Sequence, residues 1–163
     1  MENVTIRTAG IGDLDVLTEI ERCCFPAAEA ATRESLQERL TVYPNHFWLL
    51  QDGDKVISFV NGMVTDLPDL TDEMYENAAI HKEGGKWQMI FGVDTLPDYR
   101  RRGCAGKLLR YVIDQAREQG REGLVLTCKD KLVPYYAKFG FVQEGISESV
   151  HGGAVWYQMR LKF

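Results

Sequence analysis

Apolar positions in this chain recur every second residue in some stretches and every three or four in others, so strands and helices interleave. Val4, Ile6 and Thr8 alternate with polar neighbours and predict a first strand. From Asp13 to Phe25, Leu14, Leu17, Ile20, Glu21 and Cys24 fall at helical spacing, and Pro26 closes the helix. Thr32, Ser35, Leu36 and Leu40, followed by Pro44, predict a second, shorter helix. Phe47 to Leu50 and Val56 to Val64 flank the turn Gln51 to Asp54 and predict a hairpin. A long polar and acidic connection, Asp66 to Lys86, carries Pro68, Gly84 and Gly85; such connections in compact domains are functional or mobile. Trp87 to Asp94 returns to strand character. Gly103 to Gln119 is the clearest helix, with Leu108, Leu109, Val112, Ile113 and Ala116 as its stripe and Gly120 as its stop. Leu124 to Cys128 predicts a strand, Lys131 to Lys138 a short helix, and Phe141–Val142 and Trp156 to Leu161 two last strands. This order gives an α+β (or α/β-like) fold around a mixed sheet.

Length and composition narrow the class. The chain has 163 residues with no repeat, low-complexity stretch or linker, so residues 1–163 are read as one domain. Apolar residues make up 45% and charged residues 26%, which argues for a packed core rather than disorder. The net charge of −5, with both signs interspersed, disfavours nucleic acid as a partner and is compatible with a cationic substrate. Cys23, Cys24, Cys104 and Cys128 form no CxxC and no cluster with histidine, so no metal site is expected. The first residues lack the apolar stretch of a signal peptide, and no apolar run approaches the roughly 18 residues of a membrane span. A cytoplasmic monomer or homodimer is the expectation.

The segment from Asp94 to Lys107 carries the chemistry. A strand ends near Asp94, a basic turn with Arg100, Arg101 and Arg102 follows, and a long helix starts at about Gly103. Gly103, Ala105 and Gly106 are small, so backbone amides at the helix start can approach a ligand closely. Unpaired amides and the positive end of the helix dipole bind phosphate, which makes this turn a candidate pyrophosphate cradle. The same composition also occurs in solvated helix caps. The glycine spacings of the dinucleotide and Walker loops are absent.

Arg100, Gly103 and Ala105 match in order the acetyl-CoA signature of the GNAT superfamily: Gln or Arg, two residues, Gly, any residue, then Gly or Ala. A second block, Leu132 to Phe141, resembles that family's helix-then-strand segment, with tyrosine a few residues before Phe139-Gly-Phe. Glu19 to Phe25, Leu70 to Glu73 with His81 following, and Cys128 to Asp130 resemble the arylalkylamine N-acetyltransferase group in particular. The resemblance covers nearly the whole chain.

It implies a mostly antiparallel twisted sheet, flanked by helices, with a splayed parallel pair at Trp87 to Thr95 and Leu124 to Cys128. Acetyl-CoA is the implied acetyl donor, wedged in the splay. The backbone of Val93, Asp94 and Thr95 would hold its pantetheine arm. Arg100, Arg101, Arg102, Gly103, Cys104, Ala105 and Gly106 would cradle its pyrophosphate. Tyr136 would contact the cofactor and donate a proton to the departing thiolate, with Tyr135 as a packing neighbour. The long acidic loop and the first two helices would cover the site for a small primary amine, an arylalkylamine being one candidate. A protein N-terminus, a lysine, a polyamine, an antibiotic, or a non-catalytic acyl-CoA sensor are the alternatives.

The match breaks at the base. An amine of pKa about 10 is nucleophilic in roughly one molecule in a thousand at neutral pH, so a proton must leave. The two histidines of the arylalkylamine group fall here on Met89 and Phe91, neither of which takes a proton. Alternation places both on one strand face, where with Cys128 they would line an apolar substrate pocket. Among the other candidates are His81 in the long loop, and Glu21 and Glu29 near the first helices. Loss of the proton directly to water needs no base. Cys128 lacks a histidine nearby in sequence and is read as packing rather than as a nucleophile.

Overall fold

The computed structural model describes residues 3–163. Its strands are β1 (Val4–Thr8), β2 (Phe47–Asp52), β3 (Lys55–Asn61), β4 (Val64–Thr65), β5 (Trp87–Ile90), β6 (Gly92–Thr95), β7 (Gly123–Cys128), β8 (Val142–Ile146) and β9 (Tyr157–Lys162). Its helices are α1 (Leu14–Cys24), α2 (Arg33–Val42), α3 (Asp72–Glu76), α4 (Cys104–Glu118) and α5 (Val133–Ala137). One sheet has the order β1-β2-β3-β6 and the other β4-β5-β7-β9-β8. Every pairing is antiparallel except β5 with β7.

Both faces of the sheets are covered, which explains why the central strands are apolar throughout rather than alternating. Trp48 and Leu50 of β2 join the core under α4, while Phe47 and Leu49 join the core under α1 and α2. The α4 stripe (Leu108, Leu109, Val112, Ile113 and Ala116) is buried in the first core. Full burial of a side chain of this size contributes about 1.5–3 kcal/mol. Gly120, at φ 78°, turns the chain out of α4, and Arg121 N returns to Ala116 O at 3.1 Å. The Thr32 hydroxyl caps α2 by accepting from Ser35 N at 3.1 Å.

Two expected strands are each divided. Val56 to Val64 breaks at Gly62 and leaves one sheet for the other; a Cβ there would lie 1.8 Å from Met89 O. Trp87 to Thr95 breaks at Phe91: β5 runs parallel to β7 from Trp87↔Gly123 to Ile90↔Leu126, then β6 pairs with β3 instead. The parallel strands therefore part after Ile90, and this gap is the splay the resemblance implies. The segment 66–86 is more ordered than its polarity suggests: α3 anchors it through buried Met74, with Leu70 and Ala78 in the same core.

Candidate active site

At the end of β6 the chain makes a short turn at Pro97–Tyr99 and reaches α4 through two left-handed residues, Arg101 (φ 63°) and Gly103 (φ 77°). A left-handed backbone suits glycine; at Gly103 a Cβ would meet no atom within 4 Å, so conformation rather than space selects the residue. Lys107 N makes the first helical bond, to Gly103 O at 3.0 Å. The amides before it form the positive end of a 15-residue helix.

This helix start opens into a cavity of about 860 Å³ that follows the splay between β6 and β7. Arg101, Gly103, Ala105 and Gly106 border one end. Tyr136 and Cys128 border the middle. The other end is bordered by Glu21, Arg39, Tyr75, Phe91, His151 and Trp156. Val93, Thr95, Arg100 and Cys104 also face it. Eleven of the fourteen cofactor- and substrate-site positions expected from the sequence thus converge on one space, with the base candidates Glu21 and Glu29 beside them.

The other three of these fourteen positions lie elsewhere. Met89 is fully buried in the core under α1 and α2 and is absent from the cavity wall, whereas Phe91 reaches it. The strand break at Phe91 undoes the shared face that strict alternation predicts. Arg102 stacks on Tyr99 at 5.3 Å and does not face the cavity. Asp94 sits behind the wall, fully buried. Arg100 faces the cavity, but its Nε donates to Thr95 O at 3.2 Å and so braces the turn.

Tyr136 is 8% exposed, and burial pushes its phenol well above the ordinary value, so the hydroxyl stays protonated. Cys128 donates weakly to Met159 Sδ at 3.7 Å, and burial raises its thiol to about 11, which leaves little thiolate and agrees with a packing role. Tyr135 stacks edge-on between Tyr136 and Phe139.

His81 is not among the residues that line the cavity. Its Nδ1 accepts from Val64 N at 3.0 Å, so Nε2 carries the proton and donates to Glu83 at 3.0 Å. Buried His46 gives Nδ1–H to Gln88 Oε1 at 2.9 Å and turns Nε2 to Glu83 at 2.8 Å. Burial lowers the His46 pKa, yet only the imidazolium satisfies both of these contacts with donors. His46, His81 and Glu83 have the spacing of a metal site, but the Val64 amide fixes the His81 proton on the nitrogen that would have to ligate. Glu29, the other acidic candidate, is paired with Lys129 at 2.9 Å.

The sequence pattern does not single out Arg39, Asn61, Tyr75, His151 or Trp156, which also line the cavity. Arg39 is 4% exposed; it donates to Asn61 Oδ1 at 3.1 Å and Tyr75 O at 2.9 Å, and lies 4.9 Å over the Phe91 ring. Its signal was a charged residue inside the Leu36–Leu40 apolar stripe. His151 gives Nε2–H to Glu29 O at 2.7 Å and stacks on Tyr75 at 5.2 Å.

The model of the acetyltransferase (GNAT) family matches residues 14–141, which include the cradle, the splayed strands and Tyr136. The chain belongs to this family. Serotonin N-acetyltransferase of Mesocricetus auratus is 28% identical over 131 residues, 78% of this GNAT chain and 62% of that protein. The chain spans less than two thirds of the length of the curated relatives it matches. The loading GNATL domain of CurA from Lyngbya majuscula superposes with a TM-score of 0.86 at 16% identity, covering 99% of this chain and 98% of that one. The GphF GNAT-like decarboxylase in complex with isobutyryl-CoA gives 0.80 at 21% identity, covering 97% and 98%. At these identities the superpositions establish the fold. No helix among the described residues is long and apolar enough to cross a membrane.

Proposed function

We propose that this chain is an acetyl-CoA-dependent N-acetyltransferase that moves the acetyl group to a small primary amine by direct attack on the thioester. One observation carries it: one cavity is lined by the α4 amide cradle, by an acidic and aromatic group of side chains, and by the buried phenol of Tyr136. The cradle fits a pyrophosphate because first-turn amides, the helix dipole and Arg101 all present positive charge there. Val93 and Thr95 lie on the part of β6 that has left β7 and can pair with an amide-bearing arm. Phe91, Tyr75 and Trp156 supply apolar and aromatic surface for the amine's side chain, and Glu21 supplies the charge that attracts an ammonium. Tyr136 would give its proton to the departing sulfur, a role suited to a phenol that stays neutral. The relative named serotonin N-acetyltransferase supports a small amine as acceptor.

Acetyl-CoA should raise the melting temperature by mass action. Gly103→Ala, which forces a side chain into the left-handed region, should cost about 1 kcal/mol of stability and shrink that ligand-induced rise. No rise with the parent protein would overturn the donor assignment. A full rise with Gly103→Ala would move the pyrophosphate away from the cradle.

A further inference from the structure

With Met89 and Phe91 in place of basic side chains, the proton of the incoming ammonium needs another acceptor. Beneath the amine end of the cavity two carboxyl groups face one another. Asp94, on β6, is fully buried, and among the described residues no donor reaches either of its oxygens. Glu21, on α1, is 7% exposed, lines the cavity, and accepts Ala31 N at 2.8 Å through Oε2. Its other oxygen turns toward β6: a methyl on Gly92 would stand 2.9 Å from Asp94 Oδ1 and 4.0 Å from Glu21 Oε1. Two carboxylates cannot hydrogen-bond each other, and a buried carboxyl without any donor is costly. A single proton between them removes both difficulties.

We infer that Glu21 and Asp94 form a proton-sharing carboxyl pair in which cavity-facing Glu21 is the general base for the amine and Asp94 is the positioning residue that holds it. The inference rests on the acetyltransferase reading of the cavity. Burial first, and then the charge of Glu21, push the Asp94 carboxyl well above the ordinary carboxylate range. Like charges side by side raise the second ionisation of a pair, so the doubly ionised pair is a stronger base than one isolated carboxylate. The groups that face the pair are few. Arg39 from α2 and Asn61 from β3 flank it, with Tyr75 from α3. Cys24 from α1 gives its thiol proton to Thr95 O at 3.3 Å, and Tyr136 from α5 senses the Asp94 charge. Arg39 acts on Asp94 as a cation, and it favours keeping one negative charge on the pair.

The step balances. From the doubly ionised form of the pair, Glu21 takes one proton from the ammonium, which leaves the pair sharing a single proton, and the free nitrogen attacks the acetyl carbonyl carbon. The C–N bond forms and the C–S bond breaks. The sulfur takes the Tyr136 hydroxyl proton, and the second proton on nitrogen restores that phenol. Glu21 then returns its proton to solvent through the open cavity.

Two readouts test the pair, and one does not require turnover. In the infrared, the parent protein at neutral pH should show the carbonyl band of one protonated carboxylic acid, and Asp94→Asn should lose it. No such band in the parent overturns the pair, whether or not any amine is acetylated. The second readout is kcat/KM against pH with two amines of different pKa. The acidic limb should stay at the same pH for both amines and move to lower pH in Asp94→Asn. Glu21→Gln should lose about 10²–10⁴-fold in turnover while its acetyl-CoA-induced melting shift persists. A limb that follows the amine's own pKa means water takes the proton and overturns Glu21 as base. A limb abolished by His151→Gln but kept by Glu21→Gln gives the role to His151 and equally overturns it. Absence of turnover in the parent with every amine would instead sink the acetyltransferase reading, while the infrared band still decides the pair.

Discussion

The cluster around Glu83 and the cluster around Asp94 are both built from ionisable side chains, yet they follow opposite rules. Glu83 sits among donors: His46, His81, Asn45 and Arg121 all direct hydrogens at it. Burial works against its charge, but the hydrogen bonds and charge of His46, with those of His81, hold the carboxyl down to about 2. Arg121 also ties the backbone at Glu83 and Gly85, at 2.9 and 2.7 Å. Such a cluster fastens the 66–86 connection to the sheet. Asp94 receives no donor from the described residues and faces a second acid. Folding alone does not favour this arrangement, so its presence beside the cavity points to chemistry. The satisfied cluster belongs to the frame of this molecule, and the unsatisfied one is the cluster proposed above to do chemistry.

Mutations should separate the two regions. The largest effect belongs to the cavity. Tyr136→Phe removes only a hydroxyl, so turnover should fall about 10²–10⁴-fold while acetyl-CoA affinity stays within a few fold. Tyr135→Phe, whose ring packs between Tyr136 and Phe139, should change turnover little. Full turnover in Tyr136→Phe, under conditions where chemistry limits the rate, would remove it from the mechanism.

Glu83→Ala should act in the opposite sense. It strands the buried His46 Nε2 and should lower stability by about 1–2 kcal/mol, discounted because Glu83 is itself half exposed, or roughly 2–8 °C in melting temperature. Acetyl-CoA binding should be unchanged. If Glu83→Ala melts normally but no longer binds acetyl-CoA, the contrast between the clusters fails.

The smallest effect has an unusual sign. The folded protein holds the Asp94 carboxyl above the unfolded value of 3.8, so its contribution to stability is full below 3.8 and is lost as pH rises toward the folded value. At neutral pH the native residue is therefore a burden. Asp94→Asn should melt slightly above the parent at pH 7, and this advantage should vanish near pH 3.8. A melting temperature below the parent's at pH 7 would mean that Asp94 is structurally satisfied.

The donor end of the cavity was legible in the sequence because its parts are contiguous. Arg100, Gly103 and Ala105 lie within six residues, and local turn and helix geometry place them. Tyr136 was legible through its own short block. The amine end is assembled from α1, α2, β3, the 66–86 connection and the 147–156 loop, whose meeting depends on tertiary packing. Asn61 and Asp94 carried a faint signal, as polar residues inside apolar strand runs, but nothing local joins Asp94 to Glu21, 73 positions away. Alternation along β5 and β6 misplaced Met89 because the parallel pair parts at Phe91, an event set by β3 and β7 rather than by the strand itself.

The most direct measurement of the central claim is release of free thiol from acetyl-CoA by the purified chain across a panel of amines. The panel would hold arylalkylamines, polyamines, a lysine peptide and a free peptide N-terminus, with the acetylated product identified by mass spectrometry. Saturable release with stoichiometric N-acetylation of a small primary amine is the expected result. Acetyl-CoA binding without release for every amine would contradict the enzyme and leave an acyl-CoA-binding sensor in its place.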